Sequence, residues 1–400
     1  MRRVLGVLGA ALLAGCGDGS EGAPSRAQAL GPEGGPFDEA RLSSWDLEMA
    51  PADWEAIVAA PFDNAWRRCT VIWGGRAYPD VAVRPSGKRT RIPGNPKPSL
   101  RLKFDLFVPG RELHGVSSLR LDAMTLDPSM MRARVQYGAF NAFGIPAPRY
   151  AHARVSVNGA SKGLYGVEEH VGREFLRRRF GLPVGQLYRW GPHGLDLDWR
   201  GPDPAIYVPG TLEAQLSELP PGAEAVRDLA YAVTLEPDRA GAVFDVPQFL
   251  RTLAVETLLG ETDSYVAGPE GRQSFNLGLY RPPQTGRFVL VPWDQDQGFW
   301  RAETGITAWF ENRVLTRNFV LARPDGFEEY RRRLRELLAG PLSPESFRAR
   351  VDAIAAQIRE AVRDDPVKPF TLDDFDWAAG NLKAYFEARA AAFRAQLGGF

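Results

Sequence analysis

Phe275-Asn276-Leu277-Gly278-Leu279-Tyr280 and, a short loop later, Phe288-Val289-Leu290-Val291-Pro292-Trp293-Asp294-Gln295-Asp296 are the two runs that organise this chain. Each is rich in residues that favour strands, and the loop between them carries Pro282, Pro283 and Gly286, so the pair predicts an antiparallel hairpin. In a hairpin the start of the first strand and the end of the second meet at the open end. Asn276 is thereby brought beside Asp294, and Asp296 shares the face of Asp294 if the extended backbone continues. Just upstream, Asp245 caps a predicted helix with Pro247 in its first turn. Phe249, Leu250, Leu253, Ala254, Thr257 and Leu258 form its buried face, and Gly260 ends it. Asp263 follows that end, where a turn can present a side chain into a cleft. Several acids converging beside an amide repel one another unless compensated. A hard divalent cation, which takes oxygen ligands, waters and phosphate oxygens, would relieve them. The alternative is that Asp294 and Asp296 flank a turn and face water.

Working toward the N-terminus, the signals are mostly those of strands. Val71-Ile72-Trp73 and Arg76-Ala77-Tyr78 flank Gly74-Gly75, a hairpin signal, and residues 81–84 continue as strand. Residues 86–98 form a basic loop carrying Lys88, Arg89, Arg91 and Lys97. Leu100, Leu102, Phe104 and Leu106 then alternate with Arg101, Lys103 and Asp105, giving a strand with one apolar and one charged face. Residues 129–143 have helical spacing, stopped by Gly144 and Pro146. Residues 153–157 and 163–167 make a hairpin about Asn158-Gly159, and residues 173–180 a short basic helix. Residues 181–222 read as loop. Toward the C-terminus, Ser343-Pro344-Glu345 starts a helix with Phe347, Val351, Ile354, Ile358 and Val362 on one face, and a last helix covers roughly 377–397. Strands lead and helices follow, so the fold class is α+β.

The 400 residues carry 49 basic and 49 acidic side chains, a balance that argues against nucleic acid as a partner held by bulk charge. Arg2 and Arg3 precede an apolar run over residues 4–13 that is too short to span a bilayer core of ~30 Å. The run ends in Leu13-Ala14-Gly15-Cys16, which resembles a bacterial lipobox and implies lipidation of Cys16. The chain then divides into a signal peptide (1–16), a disordered Gly/Ala/Ser/Pro tether (17–40), a main domain (41–340) and a helical extension packed on it (341–400). The expected location is outside the cytoplasm, with membrane contact through the lipid alone, at the outer membrane if the source has two. Cys69 is then left without an internal partner, and four scattered histidines show no ligand spacing, so no zinc, haem or flavin site is expected.

Several stretches together resemble the spore-coat protein H (CotH) kinase-like family over roughly residues 45–340. They are Val83-Arg84 with Gly87; Pro96-Lys97 with Leu100-Arg101-Leu102-Lys103-Phe104; Asn158-Gly159 with Gly163-Leu164-Tyr165 and Glu169; Glu261-Thr262-Asp263-Ser264-Tyr265; Asn276 to Tyr280; and Val291-Pro292-Trp293-Asp294-Gln295-Asp296. The resemblance implies a remote protein-kinase-like fold that uses ATP with Mg²⁺ or Mn²⁺. It implies Asp263 as the catalytic aspartate, Asn276 and Asp294 as metal ligands, and Asp296 in support. Lys103 would contact phosphates and be held by Glu169; Lys97 and Arg84 are further candidates for the phosphate side. The chain departs from the family in about eight extra residues, 266–273, between Asp263 and Asn276, and in Ser86-Gly87-Lys88-Arg89-Thr90 where a Gly-Asn-Ser-Ser run is usual.

Three functions follow as expectations. The first is a metal-dependent phosphotransferase, an atypical kinase, acting on Ser or Thr of an envelope or coat protein. The second is a catalytically inactive kinase-like surface lipoprotein that binds or scaffolds, with Trp190, Trp199, Trp300 and Trp309 lining a groove. The third is a metal-dependent hydrolase built on the same carboxylates.

Overall fold

The first half of the chain closes on itself. In the computed structural model, which describes residues 34–217 and 222–398, seven strands form a closed barrel in the order β1-β2-β3-β4-β5-β7-β6. They are β1 Ser43–Glu48, β2 Arg67–Trp73, β3 Arg76–Pro85, β4 Leu100–Lys103, β5 Ser118–Asp122, β6 Tyr150–Val157 and β7 Ala160–Glu169. Neighbours run antiparallel except β1 and β6, whose parallel pairing seals the barrel. Both hairpins expected from the sequence are present. Trp73 faces Arg76 across Gly74-Gly75, and Asn158-Gly159 joins β6 to β7. All four turn residues hold the positive φ that two-residue hairpin turns demand. Val71, Val83, Leu102, Leu119, Leu121 and Val167 have no exposed area and belong to one core with Trp45. Period-two alternation sends these side chains to one face and charges to the other. Strand β4 ends at Lys103. Leu106 is exposed, because the chain bends away after Phe104 instead of continuing the ladder.

The second half builds a four-stranded sheet, β11-β10-β8-β9, surrounded by helices. Its strands are β8 Gln186–Trp190, β9 Leu212–Ser217, β10 Leu277–Arg281 and β11 Val289–Pro292. The expected hairpin is the β10–β11 pair, with Leu277 opposite Pro292. Residues 181–222, read as loop, supply β8 and β9. The helices are α1 Pro51–Ala59, α2 Arg132–Ala142, α3 Arg173–Phe180, α4 Ala223–Leu235, α5 Val246–Leu259, α6 Pro324–Ala339, α7 Pro344–Asp364 and α8 Leu372–Gln396. Asp245 accepts the Gln248 N–H at the start of α5, and Gly260 ends it in the left-handed region. Helix α8 begins earlier than expected, because Thr371 and Asp374 form a reciprocal capping box.

One expected boundary moves. Residues 34–40 are packed, not tether: Phe37 is buried beneath Arg149, and the Glu39 carboxylate meets Arg350 at 3.0 Å. Helices α7 and α8 share a core with α5, and the rings of Phe347 and Phe386 stack at 4.0 Å. The lipobox and Cys16 lie outside the described residues. Among the described residues no helix is long and apolar enough to cross a membrane.

Candidate active site

Antiparallel register sets four side chains side by side across the barrel. Arg84 on β3 faces Arg101 on β4, Arg101 faces Arg120 on β5, and Arg120 faces Glu168 on β7. All four line a cavity of about 690 Å³, within the range of small-molecule sites. Lys88 and Arg89 reach it from the basic loop. Asp263, Asn276, Asp294 and Asp296 from the second half line the same cavity. A basic roof therefore faces an acidic floor.

The floor is held by many short bonds. Asn276 donates through Nδ2 to the Asp263 carboxylate at 2.9 Å and to the Asp294 carbonyl at 3.2 Å. Its own carbonyl accepts from the Trp293 N–H and from the Gln295 amide. Asn276 and Asp294 have φ of 42° and 50°, a left-handed conformation that costs a non-glycine residue roughly 1–2 kcal/mol and persists where the surroundings over-determine it. The extra residues 266–273 loop out and return. Ala267 and Gln273 pair across their base, and the Phe275 N–H donates to the Ser264 carbonyl, so Asp263 and Asn276 stay in contact. Glu261 accepts the N–H groups of Thr262 and Asp263, both at 2.9 Å, and fixes the turn that presents Asp263.

Arg120 joins roof to floor. One arm lies 2.8 Å from Asp294 and 3.1 Å from Glu168, and the other 3.2 Å from Asp122. Tyr137 on α2 donates its hydroxyl to the other oxygen of Glu168 at 2.8 Å. Burial alone would weaken the Arg120 guanidinium as a base, but Asp122, Asp294 and Glu168 hold it firmly protonated.

The two sides carry opposite charge that Arg120 offsets only in part. Burial, reinforced by Asp294 and Asp122, pushes Asp296 above the usual carboxylate range. Burial raises Glu168 despite Arg120, and raises Asp263 despite Arg89. On the roof, burial and then Arg84 pull Arg101 down to about 10, and burial lowers Arg84 as well. Each side would be eased by a partner of the other sign.

The floor's donors suit a hard cation of one particular kind. Among the described residues no three Asp, Glu, His or Cys side chains gather into a metal cage. Carboxylates of Asp294, Asp296 and Asp263 with the Asn276 amide are nevertheless the oxygen chemistry that Mg²⁺ or Mn²⁺ takes. Mg²⁺ commonly uses one or two carboxylates and completes its shell with phosphate oxygens and water.

The expected phosphate side needs correction. Lys103 is on the cavity-facing side of β4 but one pleat repeat beyond Arg101. It sits opposite Ser118, lies 3.8 Å from Asp105 and does not line the cavity. Glu169 lines it, yet its carboxylate is taken by Arg149 at 2.8 Å and by Arg178, not by Lys103. Lys97 is buried at 1% exposure and paired at 2.6 Å with Asp365 at the end of α7, so it pins the basic loop to the helices and cannot reach a phosphate. Arg84 is in place. The sequence reading missed Arg101 and Arg120 as cavity cations. The signal was available, since Ser118-Leu119-Arg120-Leu121-Asp122 alternates as a strand does. Of the four tryptophans expected at a groove, Trp190 lines this cavity. Trp300 and Trp309 line a second one, and Trp199 packs on Tyr207 and Tyr231.

The geometry is that of a protein able to grip an anion on one side and a cation on the other. The chain belongs to the CotH family: the family model described as CotH kinase protein matches residues 83–393. Inner spore coat protein H of Bacillus subtilis (strain 168) is 25% identical over 305 residues, covering 71% of this chain and 79% of that protein. Inner spore coat protein H-like protein of the same organism is 38% identical over 55 residues, 14% of this chain and 18% of that protein. Among solved structures, the Golgi casein kinase aligns over 90% of this chain and 74% of its own at 8% identity, with a TM-score of 0.29. The Golgi casein kinase with Mn/ADP bound aligns over 90% of this chain and 76% of its own at 9% identity, also at 0.29. A TM-score of that size carries no argument for a shared fold.

Proposed function

We propose that the protein is an extracytoplasmic, lipid-anchored phosphotransferase that moves a phosphoryl group from ATP to Ser or Thr of a surface or coat protein. One observation carries the reading: a row of arginines and a cluster of carboxylates face each other across a single cavity of about 690 Å³. Phosphoryl transfer asks for little else, since it runs on positioning and charge neutralisation. The family adds weight, as does the name of the relative, which is a spore coat protein.

Arg84, Arg101 and Arg120 offer planar donors to phosphate oxygens, and Lys88 and Arg89 close over them. A bound Mg²⁺ or Mn²⁺ would neutralise charge on the transferring group, with Asn276 and Asp294 as its holders and Asp296 in support. Asp263 lies beside them. Its carboxylate takes the proton of the acceptor hydroxyl as the new O–P bond forms and the bond to the leaving diphosphate breaks. Burial raises its carboxyl from the ordinary value, which improves it as a base. Asn276 aims it through the 2.9 Å bond. The lipid on Cys16 would hold this domain at the outer face of a membrane.

The test is transfer of label from ATP, with Mg²⁺ or Mn²⁺, to the protein itself or a generic acceptor. Asp263→Ala and Asp294→Ala should each abolish it, and undiminished label in both variants would reject the reading. The scaffold reading draws on one observation: Asp294 is already paired with Arg120 at 2.8 Å. Thermal stabilisation that needs nucleotide and metal together favours the enzyme, and none at any concentration favours the scaffold.

A further inference from the structure

Behind the turn that presents Asp263 lies a second cavity, of about 470 Å³. Its walls are largely apolar, with Leu253 from α5, Val266 and Gly268 from the extra residues 266–273, and Trp300 and Trp309. The extra residues thus build one of its walls. Trp300 is 53% exposed at the rim of this cavity, so its ring is open to a ligand.

Glu261 lines this second cavity and, two residues before Asp263, fixes the turn that presents Asp263 to the first. It is 9% exposed. Its Oε1 is saturated by the N–H groups of Thr262 and Asp263, whereas its Oε2 has no hydrogen-bond partner. A buried polar oxygen left unpaired is costly. Among the described residues none pairs with it, so its partner is to be sought in a ligand. Arg389, the buried cation of this cavity, is committed to the carbonyls of Thr257, Arg301, Ala302 and Thr304.

We propose that this second cavity is the docking pocket of the acceptor polypeptide. A large apolar side chain enters between the indoles of Trp300 and Trp309, and a main-chain polar group of the same segment hydrogen-bonds the free Oε2 of Glu261. The inference rests on the phosphotransferase reading for the word acceptor, and on the second cavity for everything else. Glu261 and Asp263 are two positions apart. A segment in extended form advances about 3.3–3.6 Å per residue, so a hydroxyl at Asp263 and an anchor in the pocket belong to residues close together in one chain. Recognition and chemistry then share a single turn, and the extra residues 266–273 serve selectivity.

Binding tests this without needing catalysis. Four fluorescent Ala/Gly decapeptides with a central Ser would carry, two residues to either side of it, Leu, Ala, Lys or Asp. Each is titrated into the full mature protein and followed by anisotropy. The Leu peptide should bind at least tenfold tighter than the other three. Trp300→Ala, a change at a half-exposed side chain, and Ala308→Leu, which fills the cavity, should each weaken it about tenfold with melting temperature maintained. Equal affinity for all four peptides, preference for Lys or Asp, or wild-type affinity in both variants overturns the proposal. The outcomes stay separable. Leu-selective binding without any nucleotide-dependent stabilisation keeps the pocket and sinks the kinase reading. Nucleotide stabilisation without peptide selectivity does the reverse.

Discussion

The floor and the roof of the main cavity are built on opposite plans. On the floor each side chain is bound to another: Asp263 to Asn276, Asp294 to Arg120, Asp296 to Gln297 at 2.8 Å, and the turn itself to Glu261. On the roof, Arg84 and Arg101 lie opposite one another as like charges, a destabilising cross-strand pair, and Arg84 lies against the ring of Trp66 at 4.5 Å. A pre-built floor suits chemistry that tolerates little misplacement. A roof under internal repulsion suits a site that closes on an anion.

That contrast is most easily broken on the floor. Asp263→Ala and Asp294→Ala should each lower phosphate transfer by a factor of about 10³ or more, in line with the loss of a positioned acid–base or charge-stabilising group. The assay is label transfer at saturating nucleotide. Arg120→Ala should act on the fold. It strips the shared cation from Asp122, Glu168 and Asp294, and breaking a buried pair costs roughly 3–5 kcal/mol, which a denaturant midpoint reads. Roof substitutions should behave differently. Arg84→Ala or Arg89→Ala should weaken nucleotide binding by about ten- to a hundredfold, in line with the roughly 1.5–3 kcal/mol of a hydrogen bond to a charged group, with stability close to wild type. Raising the salt should narrow that difference for the exposed Arg89.

The smallest effect concerns an acid beneath the floor. Glu256 is buried, and burial lifts its carboxyl from 4.5 to about 7, although the Ser264 hydroxyl and the Tyr265 N–H oppose the change. The folded state therefore binds this proton more tightly than the unfolded state. Its stabilising contribution is full below about pH 4.5 and is lost as pH rises through about 7. Glu256→Gln should flatten the fall in stability across that window, as measured by unfolding midpoints at a series of pH values.

The floor was legible in the sequence because it is local. A hairpin carries Asn276 and Asp294 to the same end by its own geometry, and the αL glycine at 260 marks where α5 hands over to Asp263. The roof was not. It depends on register among β3, β4, β5 and β7, strands separated by loops of very different length. A displacement of two residues along β4 exchanges Arg101 for Lys103 while keeping the same face. Alternation along β4 identifies the face, and pairing with β3 and β5 decides which cation on it meets the cavity. Lys97 misled for a different reason: its partner Asp365 is 268 residues away, and no local pattern announces it. Strands β8 and β9 were hidden because irregular, Gly- and Pro-rich chain separates them over residues 191–211.

What occupies the space between the two sides decides the function. A crystal structure with Mg²⁺ and a non-hydrolysable ATP analogue tests it most directly. A cation should lie about 2.0–2.1 Å from an Asp294 oxygen, with the phosphates along Arg84, Arg101 and Arg120. A nucleotide bound elsewhere on the protein, or phosphates lodged here with no cation on the Asp294 side, would contradict it.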